Sequence, residues 1–386
     1  MSAPLPHKDS LSDGACTTLY LAGLQLDVYG PPAVLNEFPR KAAPVGTPTN
    51  ATVEARKVDV LVMLHGRERD RASLRGVCQQ LTAAGTNLVA EASGCIVPLL
   101  VLAFDLPNHG ERTLDAQRNL SWGQGNPNHG VDMWGCIVRA LGDLRAVMDL
   151  FPAVAPVQVR RWAVGGISLG GHITSIALAE DPRIQMGMVL IGCGHLHQRL
   201  ADLAAVHRVP AEKMAVVLAD ARRRDATLNA DCVAGLAAAP GASAAHALED
   251  RWVLVLHGAK DNSVTLASNT PFINALRERM RETLDSDHCA AFPDSVAAGG
   301  SGVSPVRAVC NAAVVEQDAG ATAAAAHLNV AARDAEANAH RPGHLRVNVY
   351  PGVGHVVNRD MRDAMVRWLR EWMRAAPADS ELAGKL

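Results

Sequence analysis

Short runs of apolar residues recur along the chain, and most of them are followed by a segment with helical spacing of apolar residues. Runs of Val, Leu and Ile without regular polar alternation are typical of strands buried on both faces of a mainly parallel sheet. Strands that alternate with helices favour a doubly wound α/β sheet. The runs read LYLAGLQLDVYG, VDVLVMLHG, PLLVLAFDLPNHG, VQVRRWAVGG, MGMVLIGCG, RWVLVLHG and LRVNVY.

Two segments interrupt this alternation. Residues 194–250 are helix-prone and contain no strand pattern, so we expect a small helical cap inserted after one strand and lying over a binding site. Residues 285–343 are rich in Ala, Gly and Ser and poor in large apolar residues, which predicts a partly disordered surface insertion. The predicted α/β core comprises residues 17–193, 251–284 and 344–375, with flexible termini at 1–16 and 376–386.

Composition excludes some classes of partner. The 386 residues are 48% hydrophobic and 20% charged, with a formal net charge of -2, so a nucleic-acid partner is not expected. The eight cysteines form no C-x-x-C pair, and no apolar run approaches the ~20 residues of a membrane span. The N-terminus has no pattern of a secretory signal, so the expected compartment is the cytoplasm by default. The sequence does not indicate an oligomeric state.

One serine lies between glycines where a strand pattern meets a helical pattern. The segment Gly166-Ile167-Ser168-Leu169-Gly170 has the form G-x-S-x-G and joins RRWAVGG to GHITSIALAE. In a nucleophile elbow the serine takes a strained backbone conformation, and its small neighbours leave Oγ exposed. The alternative is a strand-to-helix turn in which the glycines serve packing alone.

A serine hydroxyl becomes a good nucleophile only when a base removes its proton, and a carboxylate orients that base. At an elbow of this kind the residues follow the order Ser, then Asp or Glu, then His. Asp261 follows the strand pattern RWVLVLHG, and His355 follows LRVNVY. The sequence therefore predicts a catalytic triad of Ser168, Asp261 and His355.

These segments resemble those of the α/β-hydrolase superfamily. The elbow GISLG, the acid loop HGAKDNSV and the histidine loop YPGVGH carry the resemblance, together with the turns LHGRERD and FDLPNHGER. The resemblance implies an α/β-hydrolase fold, a serine esterase or peptidase-like activity, and no cofactor. It also implies an oxyanion hole made by the backbone N–H groups of Leu169 and Arg67.

Two features depart from the family pattern. Four charged residues, RERD, follow the His-Gly pair where relatives often carry small residues, which makes the Arg67 side chain a candidate to bind an acidic substrate group. The Ala/Gly/Ser-rich insertion separates Asp261 from His355. Because the entropy of loop closure grows only logarithmically with length, the insertion does not prevent the histidine from reaching the site.

Other side chains near strand ends have weaker signals. His195 and His197 have the spacing H-x-H, but no carboxylate or thiol pattern accompanies them, so we predict no metal site. Structural roles in turns or packing are expected for His65, Asp105, His172 and Cys193. Pocket lining, with plain packing as the alternative, is considered for Trp122, His129, Trp134 and His195.

The sequence thus predicts a serine hydrolase that cleaves a carboxylic ester of a small or medium substrate through an acyl-enzyme on Ser168. An aminoacyl- or oligopeptidase-like amide hydrolase is the alternative, because the same triad cleaves amides if it also protonates the departing amine. A non-catalytic binding protein on the same scaffold is a further alternative. The small-molecule substrate itself is not encoded in these patterns.

Overall fold

The computed structural model describes residues 16–38, 55–85, 97–225, 248, 251–282 and 344–375. The predicted insertion at 285–343 and the C-terminal segment 376–386 lie outside these residues, as does nearly all of the N-terminal segment. Of the predicted cap, residues 226–247 and 249–250 also lie outside them. The boundaries of the predicted domains therefore stay predictions.

One sheet runs through the described part of the chain. Its strands are β1 Cys16–Leu21, β2 Leu24–Tyr29, β3 Arg56–Leu64, β4 Leu99–Phe104, β5 Val157–Ile167, β6 Ile184–Leu190, β7 Trp252–Gly258, β8 Arg281–Glu282 and β9 His344–Tyr350. They lie side by side in the order β1-β2-β4-β3-β5-β6-β7-β9-β8. The last seven strands of that order pair parallel, whereas β1 pairs antiparallel with β2 and β2 pairs antiparallel with β4. The predicted mainly parallel sheet is confirmed.

The first apolar run, LYLAGLQLDVYG, forms two strands and not one. β1 and β2 pair antiparallel, with Leu21 opposite Leu24 at the end of the hairpin. The two residues between them, Ala22 and Gly23, have φ angles of 52° and 76°. Positive φ at both central positions is the property of a type I′ turn, whose twist matches that of a two-residue hairpin. The sequence pattern did not reveal this turn because alanine is an unusual residue at a positive φ.

Helices cover both faces of the sheet. The α-helices described are α1 Pro32–Leu35, α2 Arg75–Gly85, α3 His129–Val154, α4 Leu169–Glu180, α5 Leu196–Val206, α6 Ala211–Arg223, α7 Leu266–Arg279 and α8 Arg359–Arg374. One face of the sheet packs on α2 and α8, through residues such as Leu61 and Met63 of β3, and the other face packs on α3, α4 and α7, through Val60 and Val62. Successive β3 side chains are therefore buried on opposite faces, which accounts for the continuous apolar sequence of this strand.

The last helix shows how sequence pattern and packing agree. The side chain of Asn358 accepts the Met361 N–H at 2.9 Å and so caps the first turn of α8. One apolar stripe of the helix, with residues spaced three and four apart, is buried against the sheet. The stripe contains Met361, Met365, Trp368, Leu369, Trp372 and Met373.

The described part of the predicted cap consists of α5 and α6, which follow β6. The Trp134 indole N–H donates to Asp220 Oδ2 at 2.9 Å, which ties α3 to α6. Within the described ranges, no helix is both long enough and apolar enough to cross a membrane.

The loops that follow the parallel strands meet at one edge of the sheet. Ser168 follows β5, Asp261 lies shortly after β7, and His355 lies shortly after β9. Because parallel strands end at the same edge, these residues from distant parts of the chain come together. Gly66 follows β3 at the same edge.

Candidate active site

Ser168 occupies a strained turn between β5 and α4. Its φ and ψ are 55° and -110°, a combination that few non-glycine residues adopt. Its two neighbouring glycines have no room for a side chain: a Cβ on Gly166 would lie 2.1 Å from the backbone of Gly170, and one on Gly170 would lie 2.3 Å from the carbonyl oxygen of Leu64. The G-x-S-x-G pattern is therefore a steric requirement of this turn.

The predicted base lies within hydrogen-bonding distance of Ser168, and the predicted acid lies within hydrogen-bonding distance of the base. His355 Nε2 is 2.8 Å from Ser168 Oγ, and His355 Nδ1 is 2.7 Å from Asp261 Oδ2. The contact between Asp261 and His355 spans 94 residues of sequence. The structure thus brings the three predicted residues into one hydrogen-bonded line.

Asp261 is held so that only one of its oxygens faces His355. Its Oδ1 accepts the N–H groups of Ser263 and Val264, each at 2.8 Å, and its side chain is fully buried. With Oδ1 occupied, Oδ2 remains to accept the proton of His355 Nδ1. This bond fixes the tautomer in which Nε2 carries no proton and accepts from Ser168 Oγ.

The loops that carry Asp261 and His355 are joined to each other. The N–H of Lys260 donates to the Val353 carbonyl at 2.8 Å, and the N–H of Ala259 donates to the Tyr350 carbonyl at 3.0 Å. A Cβ on Gly258 would lie 2.4 Å from the Val353 carbonyl oxygen, so glycine permits this close approach. Backbone contacts thereby position the acid and the histidine relative to each other.

Comparisons with known proteins give matches to solved structures alone. No family model and no curated protein match the sequence. A protein of Thermus thermophilus is 17% identical, with a TM-score of 0.49, over 94% of this chain and 98% of that chain. An esterase of Pyrococcus furiosus is 12% identical, with a TM-score of 0.43, over 93% and 92%. An acylaminoacyl peptidase of Pyrococcus horikoshii is 11% identical, with a TM-score of 0.43, over 93% of this chain and 40% of that chain.

The topology decides the fold. An antiparallel hairpin at one edge precedes parallel strands in a doubly wound order, and the elbow serine follows β5. The chain has the α/β-hydrolase fold. The predicted fold class is confirmed.

Two backbone segments of this hydrolase fold lie beside Ser168. Leu169 is the first residue of α4, and the first N–H groups of a helix have no acceptor within the helix. The Gly66–Arg67 turn lies next to the serine, since a Cβ added to Gly66 would be 3.6 Å from Ser168 Cβ and all three residues line one cavity. The Gly170 N–H donates to the His65 carbonyl at 3.1 Å and holds that turn against the elbow.

The Arg67 side chain is engaged with the protein. Its Nη1 donates to Glu68 Oε1 at 2.8 Å, to the Asn119 carbonyl at 2.6 Å and to Gln124 Oε1 at 3.3 Å. These bonds hold the guanidinium on the loop before α3, so its expected availability to an acidic substrate group is reduced.

Arg199 is a cavity-lining residue that the sequence reasoning missed. It lies on α5, and its Nη2 donates to the carbonyl of Ser263, another residue that lines the cavity. Burial lowers the pKa of its guanidinium. Its position in the helix-prone cap sequence, in the first turn of α5, was the available signal.

A cavity of about 920 Å³ opens in front of Ser168 and His355. Among the four candidates for pocket lining, His129 lines this cavity, and burial lowers its pKa to about 4. Trp122 lies behind it, with its ring centroid 4.9 Å from that of His129. Trp134 packs between α3 and α6, since its N–H bonds to Asp220.

His65, Asp105 and His172 have the structural bonds expected of them. His65 Nδ1 donates to the Gly66 carbonyl at 2.8 Å and Nε2 accepts from the Leu106 N–H at 2.9 Å, and burial lowers the pKa of His65 to about 4. Asp105 accepts the Arg71 N–H at 2.7 Å. His172 Nδ1 accepts the Cys193 N–H at 2.9 Å.

The remaining pair, His195 and His197, has a carboxylate partner that the sequence pattern did not indicate. Asp225, which lies 28 residues after His197, has its carboxylate at 3.2 Å from His197 Nδ1 and at 3.3 Å from His195 Nδ1. His195 therefore contacts Asp225 and is not among the described residues that line the cavity.

Proposed function

We propose that this protein is a serine hydrolase that cleaves a carboxylic ester of a small or medium substrate through an acyl-enzyme on Ser168. The observation that supports this most directly is the line of hydrogen bonds from Asp261 Oδ2 through His355 to Ser168 Oγ, with lengths of 2.7 and 2.8 Å. Nucleophile and base within hydrogen-bond reach, with the base oriented by a third group, form the arrangement that activates a serine.

The first half of the reaction forms the acyl-enzyme. His355 Nε2 takes the proton of Ser168 as Oγ bonds to the substrate carbonyl carbon, and the carbonyl oxygen becomes an oxyanion. Asp261 stabilises the imidazolium that results. When the tetrahedral intermediate collapses, the bond to the alkoxy group breaks, and His355 gives its proton to the departing alcohol.

The second half releases the acid. His355 removes a proton from water as the water oxygen attacks the acyl-enzyme carbonyl, and the second tetrahedral intermediate expels Ser168 Oγ, which regains its proton from His355. The sum is one ester bond and one water consumed, with one acid and one alcohol formed. Every proton transfer uses the same histidine.

Backbone N–H groups are suited to bind the oxyanion of both intermediates. Leu169 supplies an N–H that has no acceptor within α4, at the helix end where the dipole favours negative charge. Arg67 supplies the second N–H from the turn that lies next to Ser168. Loss of one such donor typically costs about 3 kcal/mol of transition-state stabilisation.

The cavity supports a substrate of limited size. Its volume of about 920 Å³ lies within the roughly 300–1,000 Å³ range of sites for small molecules. Met133 and Leu203 contribute apolar surface, and Arg199 contributes a positive charge. A cavity with apolar surface and one positive charge suits an acyl group that is apolar along part of its length and polar elsewhere.

An active-site probe tests the proposal. The full-length protein is treated with a fluorophosphonate, which forms a covalent bond with activated serines, and is weighed by intact mass spectrometry. We expect one adduct per chain in the wild type and in Ser268→Ala, a control in the first turn of α7 whose Oγ donates to the Thr265 carbonyl, and none in Ser168→Ala. An unlabelled but folded wild type, or equal labelling of Ser168→Ala, would overturn the proposal.

A substrate panel then separates ester from amide hydrolysis. Nitrophenyl esters with acyl chains of increasing length are compared with aminoacyl and acyl-peptide nitroanilides. We expect kcat/KM for esters to exceed that for amides of the same acyl group by orders of magnitude. The reverse ranking would assign the labelled serine to a peptidase-like enzyme.

A further inference from the structure

We propose that His195, His197 and Asp225 bind one divalent transition-metal ion, with zinc as the best-fitting ion. The three residues come from the two ends of the described part of the cap. His195 precedes the first residue of α5, His197 is the second residue of that helix, and Asp225 lies two residues after the end of α6. Their ligand atoms all lie within 4.8 Å of one another. This inference does not depend on the proposed esterase activity.

The distances between the ligand atoms suit a tetrahedral ion. Zinc binds imidazole nitrogen at about 2.0–2.1 Å and carboxylate oxygen at about 2.0–2.2 Å, so two ligands at tetrahedral positions are about 3.3–3.5 Å apart. His195 Nδ1 and His197 Nδ1 lie 3.3 and 3.2 Å from the same oxygen of Asp225. The ligand atoms of the two histidines lie within 4.8 Å of each other, so an ion placed among the three side chains would draw the imidazoles together to tetrahedral spacing.

The types of ligand also favour a transition metal. Two imidazoles and one carboxylate match the preferences of zinc and its neighbours, whereas calcium and magnesium prefer oxygen ligands alone. Three protein ligands leave a fourth tetrahedral position for water.

Burial separates this cluster from an ordinary surface group. The Asp225 side chain is completely buried, and the two histidine side chains are 13% and 16% exposed. A buried carboxylate is costly unless it is paired or bound to a cation. Two ring nitrogens converge on it, and a bound dication would replace their shared protons. The slight exposure of both rings leaves a path for the ion.

A bound ion would hold two helices of the cap together. An ion at this position joins the first turn of α5 to the chain just after α6. Arg199 and Leu203, which line the cavity, lie on α5 one and two turns further along. The metal therefore fixes the helix that forms one wall of the cavity, and it touches neither Ser168 nor His355. Its expected role is structural support of the cap.

Direct binding to the full-length protein tests the site. The protein is stripped of metal with a chelator and titrated with zinc chloride in competition with a chromophoric chelator. We expect one zinc ion per chain, and a rise in Tm of about 5 °C at a zinc concentration near 100 times Kd. Cobalt as a substitute should give the intense visible absorption of a tetrahedral ion. Failure of the wild type to bind stoichiometrically would overturn the proposal.

Variants locate the ion. His197→Gln and Asp225→Asn should each weaken zinc binding at least tenfold, whereas His207→Gln, a histidine at the other end of α5, should bind zinc as the wild type does. Equal affinity in all variants would contradict the assignment.

Wild-type crystals grown with zinc give an independent readout should a variant fail to fold. The anomalous scattering peak should lie among the three side chains. A peak elsewhere, or no peak, would leave the cluster as a hydrogen-bonded His-Asp-His contact and refute the metal site.

Discussion

Replacing Asp261 with asparagine changes one oxygen atom to an NH₂ group and should reduce kcat about 10⁴-fold. Asp261 Oδ1 accepts two backbone N–H groups at 2.8 Å, and an amide oxygen preserves both bonds only if it takes that position. The new NH₂ group must then occupy the position of Oδ2, 2.7 Å from His355 Nδ1. The structure therefore dictates which way the asparagine points.

That orientation of the asparagine amide favours the histidine tautomer that carries its proton on Nε2. The NH₂ group donates to Nδ1, so Nδ1 cannot carry a proton, and the proton of the neutral ring moves to Nε2. Nε2 then faces Ser168 Oγ as a donor at 2.8 Å and cannot accept the hydroxyl proton. A loss of four powers of ten corresponds to about 5.4 kcal/mol of activation free energy.

Steady-state kinetics on a nitrophenyl ester measure the effect. We expect kcat to fall and KM to change little, because the carboxylate does not contact the cavity. Asp149→Asn is the matched control: its carboxylate pairs with Arg183 on the surface at 2.5 Å, and activity should be unchanged. If folded Asp261→Asn kept kcat within tenfold of the wild type, Asp261 would not orient His355 and the proposed triad would lose its acid.

Three further outcomes follow from steric fit, burial and charge. Gly170→Ala should lower the free energy of unfolding, measured in urea, by about 3 kcal/mol or more, because its Cβ would lie 2.3 Å from a carbonyl oxygen. The control Gly135→Ala, which has open space around it in α3, should raise the free energy of unfolding by about 0.5–1 kcal/mol. Burial lowers the pKa of His65 to about 4, so the folded chain binds fewer protons than the unfolded chain between pH 6.5 and 4. Lowering the pH from 7 to 5 should therefore reduce the free energy of unfolding by about 2 kcal/mol through this residue. In His65→Gln the free energy of unfolding should depend less steeply on pH. Arg199→Gln should raise KM more for esters whose acyl chain ends in a carboxylate than for neutral esters, and an equal rise for both would show that Arg199 does not bind the substrate's charge.

The parts of the fold that the sequence predicted are those set by local pattern. Strands buried on both faces, such as β3 and β7, have continuous apolar runs because neither face meets water. The elbow was recognisable for a similar reason: Gly166 and Gly170 are required by contacts with the chain around them. The order of Ser168, Asp261 and His355 followed from the topology of parallel strands.

The parts that the sequence did not reveal depend on contacts between distant segments. Asp225 has no signal of its own, since its meeting with His195 and His197 depends on the path of α5 and α6. Trp134 was a candidate for the pocket, but its indole N–H has a partner on α6, and a buried indole N–H is usually drawn to such a partner. The spacing of residues along the sequence does not predict either of these contacts.

The segment between β6 and α5 connects the elbow with the cap. A Cβ on Gly192 would lie 2.8 Å from the Gly171 backbone, and the Cys193 N–H donates to His172 in the same helix, so the segment is fixed to α4. The Gly194 N–H donates to Asn269 Oδ1 at 3.1 Å and fixes the segment to α7 as well.

The proposed metal site begins at His195, the residue that follows the contacts of this segment with α4 and α7. Because these contacts hold the catalytic side of the segment, loss of the ion should loosen α5 without moving Ser168. His197→Gln should therefore raise KM while the kcat for a small acetate ester stays near that of the wild type, and a parallel fall of kcat would show that the cap and the elbow move together.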